Sequence, residues 1–291
     1  MAERTSPWRF RDTFDLNLIG ATHGLSDGFS NLLVPVLTLI VADLDFSTFE
    51  AGILLSVFSV STFLFLYPIS MLADYSGRKK EMLIAGMGLS AGAFLAMSRA
   101  ADLYSLAALA FVAGAGNATY HPCGTALTAE RFAKHRAVAL SLHGLWGNLG
   151  VSLMPLLQAA VAAVAGWRAA IAACVLPATV LLPLVGLRFP RGRQAGGGGP
   201  AKADTWRKQL QALTAKVLKN RHVVLLGLVY ALKGLESKGL VGFLPLLAAK
   251  NFGMDTAAIG LAISLYYGAG VVAKPLMGLL YNRWGARSAL F

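Results

Sequence analysis

The sequence predicts an all-α integral membrane protein, and three observations carry that prediction. Apolar residues make up 56% of the 291 residues and charged residues only 14%, against about 25% charged in an average soluble domain. The apolar residues gather in stretches near the roughly 20 residues that a helix needs to cross a bilayer. The charges gather between those stretches, mostly at alternate connections. A soluble fold of this size could not cover so much apolar surface with so few charges, so the excess faces lipid.

Eight helical spans follow in order, near 17–42, 48–73, 82–98, 103–125, 137–165, 167–187, 222–249 and 256–281. The first follows sixteen residues of mixed charge and is too long for a signal-peptide core, so it reads as a retained span. Gly, Ala and Ser recur in most of the spans and suit close helix packing. After the sixth span come Arg191 and Arg193, the run Gly196 to Gly199, and Pro200, which read as a flexible linker. Thr205 to Lys219 is predicted as an amphipathic surface helix with Trp206, Leu210, Leu213 and Val217 on one side. The expected organisation is a six-helix bundle over 1–188, a linker over 189–221, and the start of a second bundle over 222–291. Cys123 and Cys174 lie in or beside apolar segments, form no metal-ligand spacing and read as small hydrophobes.

The charge distribution predicts orientation. The N-terminus and every second connection together hold 20 of the 26 Lys and Arg, and the opposite connections hold only Arg99, Arg168 and Lys250. Lys and Arg concentrate in cytoplasmic connections, so the N-terminus is expected in the cytoplasm. The formal charge of +12 is therefore an orientation signal, and nucleic acid is not an expected partner. Lys233, Lys238 and Lys274 remain inside spans.

An internal repeat organises the chain. At an offset of 208, Gly52 meets Gly260, Ser56 meets Ser264, Leu72 meets Leu280, Asp74 meets Asn282 and Gly77 meets Gly285. At an offset of 210, Gly24-Leu25 meets Gly234-Leu235 and Pro35 meets Pro245. Spans seven and eight thus repeat spans one and two. The connection after span two, from Ser70 through Asp74, Gly77, Arg78 and Lys79 to Lys80, resembles the signature loop of the major facilitator superfamily: Gly, three residues, Asp, Arg, one residue, Gly, Arg, then Arg or Lys. Ser70 and Tyr75 stand where that motif has Gly and Arg. The repeated copy keeps Gly278, Arg283, Gly285 and Arg287, with Asn282 at the acidic position. Glycines allow a tight turn between packed helices, and the acid and bases can form a gate on the cytoplasmic side.

Thr119-Tyr120-His121-Pro122 with Gly124, the run Ser141 to Gly150, and His23-Gly24-Leu25-Ser26-Asp27 are similar to fosmidomycin-resistance-type drug exporters within that superfamily. The resemblance implies alternating access between two helix bundles, a small-molecule substrate and a bacterial inner-membrane location. It also implies a glycine-rich antiporter motif in span five. Gly150 and Pro155 match that motif, while Met154, Gln158 and Ala159 replace expected glycines. Members of the superfamily resemble two six-helix halves, whereas this chain supplies eight spans. A truncated or degenerate non-transporting membrane protein, acting as a scaffold or regulatory partner, is the alternative expectation, and a second chain is then an expected partner.

Polar residues at membrane depth are the candidate site. Asp27 falls near mid-membrane in span one, and His23 and Asn31, four residues to either side, share its face. A carboxylate beside an imidazole can exchange a proton near neutral pH, and a structural hydrogen-bonding role fits the same residues. Lys233 and Glu236, three apart in span seven, are expected to form an internal ion pair. His121 and His143 are expected in the inner third and Asn148 near the midplane, with Pro122 loosening the helix beside His121. His121 and His143 lack a third ligand of convincing spacing, so no metal or other cofactor is expected. Phe58, Phe63, Phe65, Tyr266 and Tyr267 are expected to face lipid or pack. No nucleophile or metal motif points to an enzyme.

Overall fold

A computed structural model describes residues 10–189, 211 and 214–290, with side chains described except at 10, 235–237, 274–275 and 277–290. Among these residues all regular structure is helical: α1 (Phe10–Phe29), α2 (Leu37–Leu44), α3 (Thr48–Ser76), α4 (Lys79–Met97), α5 (Leu103–Asn117), α6 (Tyr120–Arg131), a 3-10 turn (Ala133–His135), α7 (Arg136–Arg188), α8 (Arg221–Phe252) and α9 (Thr256–Leu290). Most of the expected surface helix from Thr205 lies outside the described residues, and 214–219 is helical.

Local chemistry sets the boundaries. A capping box starts α3: the Glu50 N–H donates to Ser47 Oγ at 3.2 Å, and the Ser47 N–H donates to Glu50 Oε2 at 2.8 Å. Gly77, at φ 65°, ends it. Asp102 caps α5 by accepting the Ser105 N–H at 2.8 Å. That bond and the Ser105 hydroxyl hold the Asp102 carboxyl below the usual carboxylate range. The 53 residues of α7 would run about 80 Å if straight, more than twice the bilayer core. Gly166, at φ 78° and ψ 173°, breaks the helix into two crossings, at the point where the sequence divides spans five and six.

Two spans expected to be continuous are broken. Span one leaves helix after Phe29 and resumes at Leu37. Pro35 cannot donate to the Asn31 carbonyl and disfavours helical geometry at Val34. The buried Gln158 side chain donates to the freed Leu32 carbonyl at 2.6 Å, so one departure from the glycine motif stabilises this break. Span four breaks at 118–119, where Pro122 offers no N–H to Ala118. It then continues to Arg131, six residues beyond the expected end.

Helix α7 is the axis of the bundle and packs on α1, α4 and α9. Close approach requires small residues there: a Cβ on Gly150 would collide with the Gly24 carbonyl, and one on Gly260 would collide with Ala159. The interior holds Phe29, Phe58, Phe94 and Tyr120, while Phe63, Val164 and Leu187 point outward, each at least 78% exposed. Large apolar side chains turned outward suit lipid and not water. Among the described residues four helices are long and apolar enough to cross a membrane by length and composition, α3, α4, the stretch from Ala133 to Arg188, and the Thr256–Ala273 part of α9. The protein is an all-α integral membrane protein. Helices α3 and α9 start at Thr48 and Thr256, the same 208-residue offset seen in the sequence, and their caps, Ser47 and Asp255, keep it.

Ion pairs fasten the two ends. At the end bearing the signature loop, Asp15 is 2% exposed and meets Arg131 at 2.7 Å and Arg188 at 2.6 Å. At the opposite end Asp43 pairs with Arg168 and accepts from Trp167 Nε1 at 3.1 Å. Arg168, and then Trp167, hold the Asp43 carboxyl below its usual range.

Candidate functional site

Asp27 is the midpoint of 10–44, the stretch that forms the first span. Its carboxylate sits between two imidazoles. His23 Nε2, one helical turn earlier, lies 3.3 Å from Oδ2, and His121 Nε2, from α6, lies 3.4 Å from Oδ1. The side chains of His23 and Asp27 are 11% and 24% exposed and that of His121 is half exposed, so one imidazole is fixed and the other faces open space.

Packing fixes His23. Its Nδ1 lies 2.8 Å from the His143 carbonyl, which can only accept, so Nδ1 carries a proton and Nε2 is left to face Asp27. Its ring stacks on His143 at 4.3 Å and on Tyr120 at 5.2 Å between centroids. Tyr120 is anchored by its hydroxyl, which donates to the Ile19 carbonyl at 2.7 Å. Gly147 forms the floor: a Cβ there would collide with the Asp27 carboxylate and stand 2.7 Å from His23 Cε1. A neutral His23 facing an ionised Asp27 would point a lone pair at the carboxylate at 3.3 Å, so the contact needs a proton or a cation between its partners.

A second polar centre occupies the break in span one. The Asn31 side-chain oxygen accepts from Lys238 Nζ at 3.0 Å and from the Tyr267 hydroxyl at 3.2 Å. Lys238 also donates to the Ser30 carbonyl at 3.0 Å and interacts electrostatically with Asp27. Asn117 joins the same stretch, accepting from Ser26 at 3.0 Å and donating to Ser30 at 3.1 Å. Beside it opens a cavity of about 580 Å³ between the first span, α3 and α8, lined in part by Ser30, Asn31, Ser56, Lys238 and Phe243. That volume falls within the roughly 300–1,000 Å³ of small-molecule sites.

The expected site residues divide accordingly. His23, Asp27 and His121 meet directly, Asn31 joins the second centre, and Asn148 is half-buried beside Gly147 on α7. His121 reaches Asp27, and the extension of span four to Arg131 moves the midpoint of that span from residue 114 to 117. His143 stands behind the cluster, 3% exposed, with Nδ1 3.2 Å from Thr128 Oγ1. Lys233 is exposed on α8, and the Glu236 side chain lies outside the described side chains, as does their expected pairing. Lys238 and Tyr267 were missed as site residues because their partner, Asn31, is on another element. The only available signal was an intramembrane Lys without a spaced acid of its own.

At the signature loop Ser70 donates back to the Leu66 carbonyl at 2.7 Å, Asp74 is exposed, and the Arg78 N–H donates to Ser76 Oγ at 3.2 Å. The two lysines bridge helices: Lys79 meets Glu130 of α6 at 2.5 Å, and the buried Lys80 donates to the Gly186 and Phe189 carbonyls at 3.2 and 2.9 Å, closing the end of α7. In the second copy, α9 continues as helix through Gly278, Asn282, Arg283, Gly285 and Arg287, where a loop was expected, and their side chains lie outside the described side chains.

Comparison with known proteins agrees with this architecture. A bacterial homologue of the human lysosomal transporter Spinster, solved in an inward-facing, unoccupied conformation, superposes with a TM-score of 0.77 at 16% identity over 97% of this chain and 64% of its own. The nucleoside transporter NupG gives 0.75 at 11% identity, over 93% of this chain and 69% of its own. A bacterial homologue of the human drug peptide transporters PepT1 and PepT2 gives 0.54 at 18% identity, over 82% and 57%. The chain thus spans between about half and two thirds of the length of these proteins. No curated protein matches by sequence. The family model of the Major Facilitator Superfamily matches residues 19–291, and the chain belongs to that family.

Proposed function

We propose that the protein is a secondary active transporter of small molecules that works by alternating access, with a proton exchanged at Asp27 as the coupling step. The observation that carries this reading is a mid-span carboxylate held between two imidazoles, one helical turn from a mostly apolar cavity into which Asn31 and Lys238 bring polar groups. A carboxylate and an imidazole at contact share a proton whose release requires only that they separate. Rocking of α8 against the first span would move Lys238 relative to Asn31 and Asp27, changing the charge that Asp27 feels. Substrate in the cavity and a proton on the cluster would then be linked through the Lys238–Asn31 contact.

The charge distribution supports an N-terminus in the cytoplasm of a bacterial inner membrane, and the matches around His23, His121 and Ser141–Gly150 support export of drug-like molecules. The signature loop would act as a gate, because Lys79 and Lys80 tie the start of α4 to α6 and to the end of α7. Flux of radiolabelled fosmidomycin in proteoliposomes of the full chain tests the reading. Export should appear with an imposed pH gradient and collapse when a protonophore dissipates it. Equal flux with and without the gradient overturns the coupling, and no flux of any tested drug favours the non-transporting alternative.

A further inference from the structure

We propose that His23, Asp27 and His121 also form a binding site for a divalent transition-metal ion of the zinc class. One ligand atom from each residue lies within 4.8 Å of the other two. Two contacts in the cluster are more telling: His23 Nε2 lies 3.3 Å from one oxygen of the Asp27 carboxylate and His121 Nε2 lies 3.4 Å from the other, so both imidazoles already face the same carboxylate at close range. A tetrahedral ion with bonds of about 2.0–2.1 Å has ligand–ligand edges of roughly 3.3–3.4 Å. Bringing both imidazoles onto one oxygen of Asp27 requires a small rotation of its carboxylate or of the half-exposed His121 side chain, within the 4.8 Å that already spans the three ligand atoms.

The surrounding shell favours metal over simple hydrogen bonding. The bond from His23 Nδ1–H to the His143 carbonyl fixes the tautomer that leaves Nε2 as a ligand, as the second shells of metal-bound histidines do. The stacks on Tyr120 and His143 hold that ring in place before any ion arrives. Gly147 keeps the adjoining space free of a side chain. Two imidazoles and a carboxylate are the donor set of open zinc sites, with a fourth position left for water or for a donor atom of a substrate. The inference rests on this geometry alone and stands or falls apart from proton coupling.

Cobalt is the probe, because four-coordinate Co2+ absorbs strongly in the visible and six-coordinate Co2+ weakly. The full chain, purified in detergent and stripped with chelator, is titrated with Co2+ near neutral pH. The expected result is one equivalent bound with a four-coordinate spectrum. His121→Ala and Asp27→Asn should each weaken binding by more than the roughly 10–100-fold that loss of an outer-shell partner costs. His121→Cys should keep the site and add a thiolate-to-cobalt band, so one variant gains a signal even if the Ala variant folds poorly. His222→Gln, at an exposed position on α8, should change nothing. No stoichiometric binding, or binding unaltered by both His121→Ala and Asp27→Asn, overturns the proposal. Gradient-driven flux can persist when cobalt fails to bind, so the two readings fail separately.

Discussion

Asp15 and Asp27 lie twelve residues apart on α1, and the protein treats them in opposite ways. Asp15 is 2% exposed and faces two guanidinium groups from α6 and α7, at 2.7 and 2.6 Å. Arginine stays charged at any pH the protein meets, and the contact fastens three helices. Asp27 is 24% exposed and faces two imidazoles at 3.3 and 3.4 Å. Free imidazole gains and loses charge near neutral pH, which is what the proposed proton exchange at Asp27 requires. Burial alone does not separate an anchor from a switch. The partner does.

The largest expected effect follows from removing the exchangeable carboxylate. Asp27→Asn should abolish gradient-driven transport while leaving expression and thermal unfolding near wild type, because the imidazoles can still hydrogen-bond the amide. Full gradient-driven flux in that variant would erase the functional half of the comparison. Asp15→Asn should do the reverse. It strands two arginines, each about a third exposed, and should cost about 2–3 kcal/mol of stability in detergent, below the 3–5 of a fully buried pair. The folded fraction should still show the wild-type pH dependence of flux. A changed pH profile in Asp15→Asn would mean that the anchor also takes part in coupling.

Gly147→Ala tests whether the geometry of the switch matters apart from its charges. The new Cβ would displace Asp27 and His23 at once, an overpacking cost of about 1–3 kcal/mol. Coupling should fall roughly tenfold or more with every titratable group intact. Asp74→Asn, at the signature loop, should be milder. Asp74 is exposed, and the helix-bridging contacts run through Lys79 and Lys80. Turnover should therefore fall several-fold with apparent substrate affinity nearly unchanged, and a change in affinity alone would refute the gating role.

Much of this contrast was legible in the sequence, and the illegible part has a physical cause. Asn31 lies beyond the end of α1, in the break that Pro35 causes, whereas the spacing of His23 and Asp27 on one helical face and the division of α7 at Gly166 follow from local rules. So does the 208-residue offset between α3 and α9. Contacts between distant elements do not. Nothing in the spacing of Lys238 points to Asn31, and nothing in Gln158 points to the Leu32 carbonyl it satisfies. The break in span one was missed although Pro35 was in view, because a proline in a membrane helix more often kinks it than ends it. The contact of His121 with Asp27 was equally out of reach, and the end of span four lies six residues beyond the expected one because α6 runs to Arg131. The pairing of Asp15 with two arginines left no sequence signal at all: its partners lie 116 and 173 residues away.

Asp43 completes the series along the first span and carries the smallest expected effect. It is an anchor like Asp15, with Arg168 and Trp167 as partners, but its side chain is 45% exposed, and exposed ion pairs add little. Its folded carboxyl titrates below the ordinary value, so the linkage has a definite sign. The pair contributes stability above the unfolded carboxylate pKa of about 3.9, and that contribution disappears as pH falls through the lower folded value. Asp43→Asn should therefore melt slightly below wild type near neutral pH. The difference should close only in strong acid, and flux should be unaffected between about pH 5 and 8, the range that histidine chemistry covers in general. A flux profile that shifted in this range would place Asp43 with Asp27. A melting difference that stayed constant into strong acid would show that the Arg168 contact acts through packing and not through charge.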